Sequence, residues 1–233
     1  MAFSLIDPTA GAVPIAALTK DRLPAWLEAA PARERRWVRT LGFAADAGKS
    51  VLVPGGDGEL ARVLLGLGDK DDGAATMWAL AGLPAALPEG SYRLDPVPAG
   101  ADPTRMALGW ALAGYAFTRY REQPATGAVL VWPEGADRGR VLRLARAAFL
   151  ARDLVNTPAG DMGPGELAAA AVQVAETAGA CHRVIEGEAL LAENYPTIHA
   201  VGRASTRAPR LVDIVWGDPA APKLTLVGKG VCF

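Results

Sequence analysis

Residues 128–156 read AVLVWPEGADRGRVLRLARAAFLARDLVN and carry the clearest structural signal of the chain. The apolar run from Ala128 to Trp132 predicts a β-strand, and the Pro-Glu-Gly sequence after it predicts a turn. A long amphipathic helix is then expected from about Asp137 to Asn156. Because a strand, a turn and a helix in this order are typical of α/β proteins, we predict two α/β parts that this helix joins.

The residues before this helix show the same alternation of short apolar runs and helical patterns. Met106, Trp110, Ala113 and Phe117 recur at helical spacing, so we interpret them as a stripe packed against a sheet. A cofactor-binding role for Trp110 or Tyr115 is the weaker interpretation. Strands are predicted at residues 12–18, 50–53 and 61–65, and helices at residues 22–40, 74–80 and 103–120. We therefore predict a smaller α/β domain over residues 1–135 and a linking helix over residues 136–156.

Residues 157–233 are predicted to begin a second α/β domain. Pro164 follows a turn-rich loop and suits the first turn of a helix over residues 165–179. Further strands are expected at residues 181–185, 210–216 and 224–233, with a helix at residues 188–194 between the first two.

Composition limits the class of protein. The chain has 233 residues, of which 51% are hydrophobic and 21% charged, and it has no run of about 18 apolar residues that would suit a bilayer. Its first residues lack the basic and apolar stretches of a secretory signal, so we expect a cytoplasmic protein with no membrane partner. Cys181 and Cys232 lie far apart and are expected to be reduced. The net charge of −1 argues against nucleic-acid binding unless a local basic patch exists.

Three patterns that resemble functional motifs fail on spacing or context. The glycine at the start of residues 42–50, GFAADAGKS, lies one residue too far from Gly-Lys-Ser for a phosphate loop. The Gly-Leu-Gly at residues 66–68 is followed by carboxylates, which disfavour a bound pyrophosphate. His182 and His199 lack zinc-ligand spacing.

Arginines recur along the predicted linking helix. They are either a nucleic-acid-binding stripe or a solvated face, and the apolar residues Leu142, Phe149 and Leu150 between them favour the solvated face. The arginines are Arg138, Arg140, Arg143, Arg146 and Arg152.

The last ten residues, LTLVGKGVCF, place Lys229 between two glycines in an otherwise apolar segment. Glycine weakens a strand interior, and an unpaired buried ammonium group is costly. This placement suggests that the backbone approaches a ligand closely and that Lys229 reaches it. The alternative is a strand-end lysine whose ammonium group extends to water, and the residues alone leave both interpretations open.

Several segments in order resemble the leucyl aminopeptidase family. The sequence VGKG at residues 227–230, followed by Phe233, resembles the family's metal-binding strand. RDLVNTP at residues 152–158 and DMGP at residues 161–164 resemble its interdomain helix and the loop after it. The similarity is clearest over residues 152–233 and looser before them.

This resemblance implies a two-domain α/β enzyme that uses two divalent metal ions, zinc or manganese, to remove amino-terminal residues from peptides as a homo-hexamer. It implies that Lys229 is a metal ligand, as a neutral amine, and it assigns no catalytic residue to this chain. The family's other ligands follow the position that Phe233 matches. We therefore expect these residues to be the front part of the enzyme and to hold no catalytic metal alone. The alternative is a non-catalytic module that binds protein or nucleic acid.

Overall fold

The computed structural model describes residues 3–69, 77–122 and 127–232. The chain divides into two compact units, Met1–Ala151 and Arg152–Phe233. One helix, α5 (Arg138–Asn156), runs through this division. The division does not test the predicted domain limits at residues 135 and 157, which remain predictions.

A six-stranded sheet forms the centre of the first unit, in the order β1-β6-β5-β2-β4-β3. All neighbouring strands are parallel except β3, which pairs antiparallel with β4. The strands are β1 (Leu5–Ile6), β2 (Val13–Thr19), β3 (Ser50–Pro54), β4 (Leu60–Gly68), β5 (Gly90–Leu94) and β6 (Ala128–Val131).

Both faces of the central strands are buried. Ile15 and Leu65 pack into one apolar cluster, whereas their chain neighbours Ala16 and Leu64 pack into the cluster on the opposite face. Successive side chains of a strand point to opposite faces, so helices on both sides of the sheet must cover it. The described helical elements of this unit are α1 (Leu23–Ala29), α2 (Ala32–Thr40), a 3₁₀ turn (Leu80–Gly82), α3 (Leu83–Ala86), α4 (Pro103–Ala113) and most of α5.

Trp110 of α4 is fully buried, and its indole N–H donates to the carbonyl oxygen of Ser4 at 3.1 Å. The core interpretation of Trp110 therefore agrees with the structure. The predicted end of this helix at residue 120 is wrong, because α4 ends at Ala113 and leaves Phe117 outside it.

The predicted helix over residues 22–40 is in fact two helices. Ala30, which separates them, is extended with ψ of 148°, because the following Pro31 disfavours helical backbone in the residue before it. Of the helix predicted over residues 74–80, residues 74–76 lie outside the described residues, residues 77–79 are helical, and the 3₁₀ turn begins at Leu80.

The second unit contains a two-stranded antiparallel sheet of β7 (Cys181–Glu186) and β8 (Arg210–Val215). Its helices after α5 are α6 (Pro164–Thr177), α7 (Ala189–Ala192) and α8 (Pro196–Gly202). Cys181 and Cys232 are both free thiols.

The predicted strand over residues 224–233 is wrong for the part that the structure describes. Residues 222–232 form no strand, and the side chains of Leu224, Leu226 and Val227 are 83%, 86% and 93% exposed. A β-strand requires a neighbour that accepts and donates backbone hydrogen bonds, and among the described residues this segment has none.

Candidate functional site

Lys229, the predicted metal ligand, lies in this terminal segment and is exposed. Its ammonium group forms no hydrogen bond or ion pair with any residue in the described ranges. The structure therefore places Lys229 in solvent, with an apolar segment on either side.

The two glycines beside Lys229 have different surroundings. A Cβ atom added to Gly230 would clash with Cδ2 of Leu167 in α6, whereas one added to Gly228 would have no atom within 4 Å. The close neighbour of Gly230 is thus a leucine side chain of α6, and the predicted approach of this segment to a ligand stays a prediction.

An apolar cleft of about 300 Å³ lies beside this contact. Leu167 and Val231 bring α6 and the terminal segment to it, and the half-exposed Cys232 lies at its edge. No carboxylate or imidazole lines the cleft within the described part of the chain. Its remaining lining residues are Leu154, Val155, Thr157, Ala159 and Met162.

The loop that precedes α6 is held by side chains on both sides. Thr157 is buried, and its hydroxyl donates to the carbonyl oxygen of Asp153 at 2.7 Å. The guanidinium of Arg207 donates to the carbonyl oxygens of Ala159 at 3.1 Å and Gly160 at 2.7 Å. The loop before α6 is therefore fixed at the Thr157 hydroxyl and at two of its carbonyl groups.

Glu166 closes the first turn of α6. Its carboxylate accepts a hydrogen bond from the backbone N–H of Gly163 at 2.9 Å. Hydrogen bonds from the backbone of Glu166 and of Gly163, with the positive charges of Arg207 and Arg210, lower the pKa of this carboxyl group. The carboxylate therefore stabilises the start of the helix.

The structure also allows a test of whether these residues fit a divalent metal. Across the described ranges, no three His, Cys, Asp or Glu side chains gather as a metal site would require. His199 Nε2 lies 3.0 Å from Glu188 Oε1, and His182 lies on β7, paired with Ile214. A single lysine amine does not form a coordination sphere, so the described residues do not by themselves fit the metal pair.

Comparison with known families divides the chain at the same region. Residues 13–133 match the M17 aminopeptidase N-terminal domain, and residues 149–233 match the catalytic domain of the cytosol aminopeptidase family. The two matches are the two domains of one class of peptidase, in its order. The chain therefore belongs to the M17, or cytosol aminopeptidase, family.

Individual relatives agree with this assignment. A probable cytosol aminopeptidase of Leifsonia xyli is 33% identical over an alignment of 207 residues, which covers 83% of this chain and 42% of that protein. One from Nocardia farcinica is 35% identical over an alignment of 184 residues, which covers 72% of this chain and 36% of the relative. The chain thus spans less than half the length of these curated relatives.

Solved structures show the same relationship. The cytosol aminopeptidase of Coxiella burnetii superposes with a TM-score of 0.91 at 40% identity, over 100% of this chain and 50% of that one. The bottromycin maturation enzyme BotP, solved in complex with Mn, has a TM-score of 0.71 at 28% identity, over 90% of this chain and 46% of its own.

These findings confirm the predicted family and the mixed α/β fold class. The relatives named here are enzymes, and they give no support to the alternative of a non-catalytic binding module. No described helix is long and apolar enough to cross a membrane. The role of Lys229 stays a prediction.

Proposed function

We propose that the protein containing these residues is a metal-dependent aminopeptidase that releases amino-terminal residues from peptides. The observation that carries this proposal is the match of residues 149–233 to the family's catalytic domain, directly after the match of residues 13–133 to its N-terminal domain. The chain supplies the first domain and the start of the second.

Lys229 is proposed as the first metal ligand of that site. Its exposure and the lack of a carboxylate partner among the described residues leave the amine available, and the VGKG segment lies within the matched catalytic domain. A lysine ligates a metal only as the neutral amine, and a nearby dication favours that form over the ammonium with its usual pKa of about 10.4. BotP has been solved with manganese, which supports a divalent ion of this kind.

The test uses the full open reading frame that contains these residues, supplied with Mn²⁺ or Zn²⁺. We expect release of amino-terminal residues from unblocked peptides and none from N-acetylated ones. Lys229→Gln should reduce bound metal and lower kcat/KM by about a hundredfold or more, because a first-sphere ligand is lost. Lys223→Gln is the matched control, as it removes another exposed lysine of the same segment. Equal activity and metal content in the two variants would show that Lys229 is not a metal ligand.

The 233 residues alone are proposed to bind no catalytic metal and to be inactive, because the described residues bring no ligand set together. Metal analysis after dialysis against Mn²⁺ or Zn²⁺ tests this directly. A stoichiometric, tightly held ion would contradict it, without affecting the assignment of the longer protein.

Homo-hexameric assembly and a cytoplasmic location are proposed on the same ground of family membership. The relatives are probable cytosol aminopeptidases, which supports the location. Light scattering of the full-length protein tests the assembly.

A further inference from the structure

One face of α2 in the first unit carries an unusual set of exposed side chains. Arg33, Arg36, Trp37 and Thr40 follow one another at intervals of three, one and three residues, which places them on one side of the helix. Together with Pro54 at the end of β3, they line a cleft of about 330 Å³. We call this set the α2 face.

α2 carries more positive than negative charge, and two of its arginines line the cleft. The helix contains four arginines and a single acidic residue, Glu34, in nine residues. Glu34 is not among the residues that line the cleft, and it pairs with Arg62 at 2.8 Å. Within the described parts of the chain, neither Arg33 nor Arg36 forms an ion pair, so the cleft has two uncompensated positive charges.

The aromatic member of the α2 face is held in place. The indole N–H of Trp37 donates to the carbonyl oxygen of Leu52 at 3.0 Å, although the side chain is 42% exposed. A ring that is fixed at its edge and open to solvent offers a flat surface for stacking without a large loss of side-chain entropy.

The glycine turn after β3 lies close to Arg33 of the α2 face. Arg33 Nη1 lies near the glycine turn after β3, at 3.7 Å from the position of a Cβ atom on Gly56. The acidic residue of that turn, Asp57, accepts a hydrogen bond from the backbone N–H of Glu59 at 3.1 Å. The carboxylate is thus directed into its own turn.

We propose that the α2 face binds a nucleotide, with its phosphate at Arg33 and Arg36 and its base against the Trp37 indole. Guanidinium groups bind phosphate oxygens through paired hydrogen bonds, and exposed indoles stack on bases of any sequence. The cleft has the volume of a small-ligand site. A free nucleotide and a unit of single-stranded nucleic acid share this chemistry. The net charge of −1 would not attract a phosphate group to the chain as a whole. The proposal therefore rests on the local positive charge of Arg33 and Arg36.

The test measures fluorescence anisotropy of a labelled short oligodeoxyadenylate with the 233-residue chain at low salt. We expect saturable binding that weakens as salt rises, because phosphate contacts release counterions. Arg33→Gln with Arg36→Gln should weaken binding by about tenfold or more. Trp37→Leu should weaken it by about fivefold or more, through lost stacking. Thermal unfolding of each variant reports whether the fold is retained.

The matched control is Arg140→Gln with Arg143→Gln. This pair removes two positive charges at the same spacing from an exposed face of α5. No tryptophan lies between Arg140 and Arg143 in the sequence. The proposal requires that the control pair retains binding. It is overturned by an equal loss in the control pair, by no binding of the probe at low salt, or by unchanged binding in a folded Trp37→Leu variant.

Competition distinguishes the sources of the ligand. We expect AMP to displace the probe at concentrations well below those of inorganic phosphate, because phosphate alone cannot stack on Trp37. Equal competition by the two would overturn the role of the base. If AMP binds as tightly as the strand, the ligand is a free nucleotide; if the strand binds much more tightly, the ligand is single-stranded nucleic acid. Because these assays involve no peptide or metal, their failure would leave the aminopeptidase proposal unaffected.

Discussion

The burial of apolar side chains differs between the strands of the first unit and the last segments of the second. In the first unit, alternating residues of β2 and β4 are buried on both faces of the sheet. In the second unit, Ile214 and Val215 at the end of β8 and Trp216 after it are 41%, 60% and 75% exposed. Leu224, Leu226 and Val227 of the terminal segment are more exposed still. The difference shows that an apolar pattern indicates which side chains can be buried. Whether they are buried depends on which neighbouring segments are available to cover them.

The largest expected effect compares one leucine from each unit. Leu65 is fully buried in β4 and Leu226 is 86% exposed. Leu65→Ala should lower the free energy of unfolding by about 2–5 kcal/mol, because it leaves a cavity in the core. Leu226→Ala should change it by less than about 0.5 kcal/mol. Urea denaturation followed by circular dichroism measures both. A comparable loss in both variants would show that the terminal segment is covered in solution and would break the comparison.

The next largest effect is expected from replacing one glycine by alanine in each unit, because the new methyl group contacts different atoms in the two places. Ala at Gly66 would clash with the backbone carbonyl of Asp46, whose loop is hydrogen-bonded to β4 on both sides of this contact, from the Gly48 N–H and to the Ala45 carbonyl oxygen. Ala at Gly163 would come within 2.5 Å of Arg207 Nη1, the end of a flexible side chain. Gly66→Ala should cost about 3 kcal/mol or more, and Gly163→Ala about 1 kcal/mol.

Hydrogen exchange shows which region of the chain each of these two glycine variants destabilises. For Gly163→Ala we expect faster exchange confined to residues 157–167, since Arg207 must release the carbonyls of Ala159 and Gly160. Gly160→Ala is the control, because its new Cβ would have no atom within 4 Å. If Gly163→Ala is as damaging as Gly66→Ala, the loop before α6 is more rigid than the contacts of Arg207 indicate.

The smallest effect is a pH dependence in the second unit. The pKa of Glu166 is lowered in the folded chain, mainly by backbone hydrogen bonds at Glu166 and Gly163. Its stabilising effect is therefore fully present above the usual glutamate pKa of about 4.3 and is lost as the pH falls through the lowered value. Exchange protection at the start of α6 should fall in that range.

Glu166→Gln should abolish this pH dependence, whereas Glu176→Gln, which removes the same charge from the last turn of α6, should retain it. An unchanged profile in Glu166→Gln would mean that another group controls the start of the helix.

Sequence patterns predicted the long elements well. α5 was expected at residues 137–156 and is observed at Arg138–Asn156, because three turns or more of amphipathic pattern with a preceding Pro-Glu-Gly turn leave little ambiguity. The short strands β1 and β5 were missed. Leu5–Ile6 has only two residues, and β5, GSYRL, contains only two large apolar side chains. Their strand conformation results from pairing with distant strands.

For the candidate site, the sequence singled out Lys229 but placed it in a strand. The expectation rested on apolar residues around it, and such residues form a strand only beside a partner. The α2 face was missed altogether: its arginines lie in a helix that was predicted as part of a longer one, and nothing in the local pattern shows that Glu34 turns to Arg62.

By itself, the sequence determined the α/β class, the long joining helix and the ordered motifs that identify the family, because these depend on residues near one another in the chain. Only the tertiary structure decided the strand order, the exposure of Lys229 and the meeting of two unpaired arginines with Trp37 over one cleft. These features depend on which distant segments supply hydrogen bonds, cover apolar surface or neutralise charge, and no local periodicity encodes that choice.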